Sequence, residues 1–247
     1  MEVVVPFYGA LEHLTNCLDS LKNWPVIAVN DGPGKIPGAE RLAQMYKIKL
    51  IEHPFNKGFI EACHTGVQAT SSEFVLLLNS DVIANDKAIQ QMYDQMKLNK
   101  NIAVMGCRLL FPNGTIQCAG VARSIEGIPY HPFMGLPGET PHACRSLFVN
   151  AVTGAVFMIR RRVWDEIGGF DRKYGKGVYE DVDYCWECRK RDYLVAYDGR
   201  VSMIHAMHGS YVKGQPYMFD MATENLTKLL MKYQLPSDEE LFYGRLK

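Results

Sequence analysis

The sequence predicts an α/β protein, with a mostly parallel sheet flanked by helices in a single domain. Three observations lead there. Strand-like runs, polar turns and helix-like segments alternate repeatedly before residue 70, which is the pattern of parallel β-α-β units. Phe74 to Leu78 is continuously apolar, as in a strand buried on both faces. At 247 residues the chain is long enough to bury a large core of its own.

Val3-Val4-Val5-Pro6 forms the first predicted strand and Phe7-Tyr8-Gly9 the turn after it, with Leu11, Leu14, Leu18 and Leu21 at helical spacing beyond. The turn lacks G-x-G-x-x-G, which excludes a dinucleotide-binding unit at the place where it should begin. Tyr8 either packs or stacks on a nucleobase. Val26 to Val29 is the second strand, closed by Asn30-Asp31-Gly32-Pro33; a short helix over Ala39 to Tyr46 and a strand over Ile48 to Ile51 follow. His53-Pro54-Phe55-Asn56-Lys57-Gly58-Phe59 turns into a helix from about Ile60 to Ala69. The fourth strand then ends in Asn79, Ser80 and Asp81. Open α/β sheets meet ligands outside the carboxyl ends of their strands, so this trio either holds a divalent cation or caps the turn before the next helix.

Lys plus Arg and Asp plus Glu both number 27, so nothing in the charge balance favours a nucleic-acid partner. No apolar run approaches the roughly 20 residues of a membrane span, and Met1-Glu2 leads straight into Val3 without a basic leader. A cytoplasmic protein is expected. The seven scattered cysteines read as reduced thiols, and Cys185-x-x-Cys188 lacks the second pair that a zinc site would need. Phe111 to Phe148 is rich in Gly and Pro and reads as a variable loop region with short strands. Arg160-Arg161-Arg162 reads as a solvated basic face between a strand and a helix.

Taken together, V-V-P-F-Y-G, V-N-D-G, N-K-G-F-I-E-A-C-H-T-G and L-L-L-N-S-D-V resemble the nucleotide-binding half of family-2 glycosyltransferases of the GT-A, Rossmann-like fold, rhamnosyltransferase-like members in particular. Thr153-Gly154-Ala155 through Arg161, Gly168-Gly169-Phe170-Asp171, Glu180-Asp181-Val182-Asp183 and the strand ending at His205, followed by Gly209-Ser210, resemble the second half. Asn225 to Tyr233 is similar to the trailing helix of that family. The resemblance implies a transferase domain over 1–210, divided into a nucleotide-sugar half (1–110) and an acceptor half (111–210), with a helical extension over 211–247.

It further implies inverting transfer of rhamnose or another hexose from a dTDP- or UDP-sugar to a hydroxyl of a glycan or glycolipid, with Mn or Mg as cofactor. Asp181 would be the base and Glu180 its acidic neighbour. Asp81 would bind the metal with His205, for which His208 is a substitute. Pro6, Phe7, Tyr8, Asn30, Asp31, Asn56, Gly58, Phe59, Asn79 and Ser80 would hold the nucleotide, and Thr153 with Gly154 the sugar. A lipid-linked acceptor would bring peripheral contact with a membrane. On residue type alone, Glu180-Asp181 is equally the acid-rich start of a helix, and His205 equally a histidine bonded to backbone. Two other readings remain: a non-catalytic nucleotide-sugar or glycan binder with the same fold, and a sugar nucleotidylyltransferase. Pro6-Phe7-Tyr8-Gly9 is unlike the Gly-rich, Arg-containing loop of the last.

Overall fold

A computed structural model describes residues 1–9, 11–32, 34–206 and 216–233. In chain order the elements are β1 (Glu2–Phe7), α1 (Leu11–Asp19), β2 (Val26–Asn30), α2 (Ala39–Tyr46), β3 (Lys49–Glu52), α3 (Phe59–Gln68), β4 (Phe74–Leu78), β5 (Val82–Ile83) and α4 (Asp86–Leu98). There follow β6 (Ile102–Leu110), β7 (Ile116–Cys118), β8 (Ala122–Arg123), β9 (Pro129–Tyr130), β10 (Ser146–Phe148) and β11 (Val156–Arg160). After α5 (Arg161–Ile167) and a 3-10 turn (Arg172–Tyr174) come α6 (Glu180–Lys190), β12 (Leu194–His205) and α7 (Pro216–Lys232).

The main sheet has the order β10-β12-β6-β11-β4-β1-β2-β3, with β5 on β12 and β7 on β6. The pairs β1–β2, β1–β4, β2–β3 and β6–β12 are parallel, whereas β11 runs antiparallel between β4 and β6. The α/β class read from the alternation is therefore the observed one. Its parallel half carries the β-α units, and both faces of that half are covered, which is why β2 and β4 are buried at every position.

Helices form where apolar residues recur on one face. In α4, Ala88, Ile89, Met92 and Met96 are the buried set, and Asn85 caps the amino end by accepting the Lys87 N–H at 3.0 Å. In α3 the approach to the sheet is so close that a Cβ on Gly66 would lie 2.1 Å from Val4 Cγ1. The Gly/Pro-rich stretch after β6 contains β7 to β10, short strands of two or three residues as anticipated.

The arginine run departs from expectation. Arg160 is 2% exposed. Its guanidinium donates to the carbonyls of Met96 (2.6 Å), Asn99 (3.1 Å) and Ile102 (3.1 Å), pairs with Glu73 and lies over the Phe74 ring. It satisfies the last carbonyls of α4, which would otherwise be orphaned. Arg161 likewise donates to the Val67 and Thr70 carbonyls at the end of α3. These arginines fasten helix ends, and only Arg162 is mainly a surface residue.

His208, Gly209 and Ser210 lie outside the described residues, as do 211–215 and 234–247 of the anticipated extension. Among the described residues no helix is long and apolar enough to cross a membrane. Gly66→Ala should destabilise the fold by about 1–3 kcal/mol through overpacking against Val4. Urea unfolding monitored by circular dichroism measures this, with a lower midpoint at unchanged slope as the expected result.

Candidate active site

The carboxyl ends of β1, β2 and β4 deliver Tyr8, Asp31 and Asn79 to one edge of the sheet, and a continuous series of short contacts joins the site segments there. Asp31, 6% exposed, accepts the Lys57 N–H on Oδ1 (2.8 Å) and the Gly58 N–H on Oδ2 (2.8 Å), so β2 holds the N-K-G turn directly. His53 Nδ1 adds 2.7 Å to the same Oδ1, while its Nε2 meets Thr65 Oγ1 at 2.9 Å. Gly58 (φ +96°) admits the next segment, since a Cβ there would come within 2.5 Å of Lys176 Cα. The Phe59 N–H donates to the Lys176 carbonyl at 2.9 Å. From Lys176 the chain enters α6, where Asp181 Oδ2 accepts the Gly154 N–H at 2.7 Å. The Ala155 carbonyl then accepts the Asn79 N–H at 3.0 Å and closes the series on the end of β4.

Within this frame Tyr8 is 49% exposed, Phe7 and Pro6 are buried, and Phe59, Asn79, Ser80 and Thr153 are half-buried. Asn56 has a buried Oδ1 without a partner among the described residues, an acceptor available to a ligand. Asn30 is not brought to the site surface. It is fully buried, its amide donates to the Gly34 carbonyl and Glu52 Oε1, and its oxygen accepts the Gly32 N–H. Its side chain is engaged in the turn itself.

Glu180 and Asp181 open α6. Burial raises the pKa of both carboxyls; in Glu180 the Asp181 charge adds to it, and in Asp181 the N–H groups of Gly154 and Val182 oppose it. Glu180 is 5% exposed and its Oε2 has no partner among the described residues, a place where the neutral acid is more stable than the anion. His131, just beyond β9, lies in the field of Asp181: desolvation lowers the imidazole pKa and the carboxylate pulls it back up. Nothing in the sequence distinguished His131 from the rest of its loop.

Asp81 and His205, 124 positions apart, meet because β5 pairs antiparallel with the end of β12, His205 opposite Val82. His205 Nε2 stands 3.0 Å from Asp81 Oδ1. Gln117 on β7, which the sequence did not single out, fixes the ring. Its amide nitrogen donates to the His205 carbonyl (3.1 Å), so its oxygen must face Nδ1, at 2.5 Å. The Gln117 oxygen thus takes the Nδ1 side of the ring and leaves Nε2 facing the Asp81 carboxylate, an imidazole nitrogen and a carboxylate oxygen converging as two ligands of one cation would. The pair fits a divalent cation on that ground. Among the described residues no group of three His, Cys, Asp or Glu could hold a metal ion. Cys185 and Cys188 are both buried free thiols, the former raised well above its usual pKa by burial.

The model for glycosyl transferase family 2 matches residues 2–168, a span that stops short of Glu180 and Asp181. The O-antigen biosynthesis protein RfbC of Myxococcus xanthus is 30% identical over 190 residues, covering 70% of this chain and 15% of its own. The pre-mycofactocin glycosyltransferase of Mycobacterium tuberculosis is 25% identical over 185 residues, 74% of this chain and 38% of its own. The chain thus spans well under half the length of these relatives. Among solved structures, GalNAc-T7 with UDP, GalNAc and Mn2+ superposes with a TM-score of 0.72 at 15% identity over 93% of this chain and 47% of that one. The mannosyltransferase PcManGT of Pyrobaculum calidifontis, with GDP-Man and Mn2+, gives 0.65 at 13% identity over 97% and 66%.

His53→Leu should cost about 1.5–3 kcal/mol, the worth of a hydrogen bond to a charged group, by leaving Asp31 short of a partner. Thermal unfolding checks this. With β2 bound to the N-K-G turn, the turn to the acid pair, and the acid pair to the strand beside β4, the matched span and the shared architecture have one reading: this chain belongs to glycosyltransferase family 2.

Proposed function

We propose that the chain transfers a hexose from a nucleoside-diphosphate sugar to a hydroxyl of a glycan or glycolipid, with inversion. The observation that carries this reading is the Asp181 carboxylate, held against the Gly154 backbone at the sheet edge with its pKa raised by burial, in the same series of contacts as the ends of β2 and β4. A base for a sugar hydroxyl must be desolvated enough to take a proton and fixed enough to aim at one. Asp181 meets both requirements.

In the proposed reaction Asp181 removes the acceptor O–H proton as that oxygen attacks the anomeric carbon. The bond from that carbon to the diphosphate oxygen breaks, and the nucleoside diphosphate leaves with the electron pair. Asp81 and His205 would hold Mn or Mg, which when bound offsets the charge developing on the departing diphosphate. The exposed Tyr8 ring offers a stacking face for the base, and Asn56 Oδ1 an acceptor for the donor. A dTDP- or UDP-sugar is the donor class we favour and rhamnose the candidate sugar. The relative of M. xanthus, named for O-antigen biosynthesis, supports a polysaccharide acceptor. A lipid-linked acceptor would place the protein at the cytoplasmic face of a membrane.

Asp181→Asn should lower turnover by about 10²–10⁴-fold while donor binding persists; normal turnover would remove Asp181 as the base. A base works only when ionised, so transfer is lost as pH falls through its pKa. With burial raising that pKa, the acid limb of kcat should lie above the ordinary aspartate range near ~3.9. A limb at or below that range would contradict the assignment. Gln117→Leu should raise the Mn concentration needed for half-maximal donor binding by roughly 10–100-fold, as loss of a group orienting a metal-bound histidine does. Titrating Mn against the thermal shift produced by UDP or dTDP measures it.

A further inference from the structure

The backbone immediately before the acid pair is held in a conformation its residues disfavour. Gly175, Gly177, Val178 and Tyr179 all have positive φ, at +67°, +140°, +73° and +72°. Glycine accepts this, but a β-branched valine and a tyrosine in succession do not adopt it unless something outside the segment imposes it. Asn225 of α7 does so. Its side chain is 1% exposed, and its amide nitrogen donates to the carbonyls of Tyr174 (2.9 Å), Gly177 (2.8 Å) and Val178 (3.2 Å). Lys228 braces it from one helical turn on, donating to Asn225 Oδ1 at 3.1 Å and to the Lys173 carbonyl at 2.9 Å. The same helix is fastened to α6, since Lys232 Nζ donates to Asp183 Oδ2 at 2.9 Å and the Tyr233 hydroxyl to Asp183 Oδ1 at 2.9 Å.

We propose that α7 is a strap for the catalytic turn, in which Asn225 is a positioning residue that holds residues 174–179 in left-handed backbone and thereby sets the aim of Asp181. The two N–H bonds of one amide, one of them shared, gather three carbonyls and tie a six-residue turn at three points. Gly177 is one of them, and its Cα stands over Glu180, a Cβ there coming 3.6 Å from Oε2. The opposite face of the turn is tied to the nucleotide half through Lys176 and Phe59. Once Asn225 is removed, Val178 and Tyr179 relax towards ordinary φ, and α6 begins with Asp181 no longer held on the Gly154 N–H. The carbonyls that Asn225 holds precede the acids in the chain, so its contribution belongs to their placement. This inference rests on the transferase reading for its consequence and on the backbone alone for its cause.

Two measurements separate these. Hydrogen exchange over 174–183 reads the strap whether or not sugar is transferred. Asn225→Ala should lose protection there while β1, β2 and β4 keep theirs, and unchanged protection in that segment overturns the proposal. In steady-state transfer the same variant should lose roughly 10–100-fold in kcat, the cost of misplacing a reacting group, with the KM for donor within about twofold of the parent. Equal kcat overturns the proposal, as does a loss confined to KM. Asparagine tolerates left-handed backbone where valine does not, so Val178→Asn added to Asn225→Ala should recover a substantial part of kcat. Failure of that rescue in a folded double variant would mean that Asn225 merely stabilises the domain. If the parent chain transfers no sugar from any donor while exchange still depends on Asn225, it is the proposed function that falls, and the strap's catalytic role with it.

Discussion

The working edge of this sheet is held together by carboxylates that accept backbone N–H groups from other segments. Asp31 takes two from the N-K-G turn, Asp181 takes one from Gly154 as well as that of Val182, and at the opposite edge Glu2 takes those of Ser71 and Ser72. Turns at strand ends expose donors that no ladder satisfies, and an ionised acceptor satisfies them more strongly than a neutral one. The same acids therefore define both the shape of the site and its charge. A change at Asp31 would move Gly58, and through Phe59 and Lys176 the entry to α6.

Opposed forces act on Asp181, the base of the proposed reaction. Burial favours the neutral form, whereas the two N–H groups and nearby His131 favour the anion. In Glu180 burial and the charges of Asp181 and Asp183 outweigh its own backbone N–H, so environment sets the two carboxyls apart, the more deeply buried one being the less able to ionise. At the other end of the site, the Gln117 amide orients His205. Asp81 and His205 are held in register by the β5–β12 pairing.

How far the sequence could be read depended on how local each cause was. The order of strands and helices through β4 follows from apolar periodicity, and the fully apolar Phe74–Leu78 is indeed central, between β1 and β11. Asp31, Asp81, Asp181 and His205 were visible as acids at strand or helix ends and a histidine closing a strand. Asn30 looked equivalent to Asp31, yet its side chain turns inward to Gly32 and Gly34, because an amide can both donate and accept within one turn. Arg160 looked like surface charge and is buried, since its carbonyl partners lie 58 to 64 positions away.

By itself, then, the sequence determined the α/β class, the order of elements through β4 and the acidic residues at the strand ends, all of which rest on contacts between near neighbours or on the burial pattern of single elements. Only the tertiary structure decided which of those side chains face outward, that Gln117 fixes His205, and that α7 clamps the turn before Asp181 through Asn225. These depend on hydrogen bonds spanning 88 and 47–51 positions. The partners of such bonds are chosen by how the sheet and its helices pack, and no periodicity along the chain records that choice.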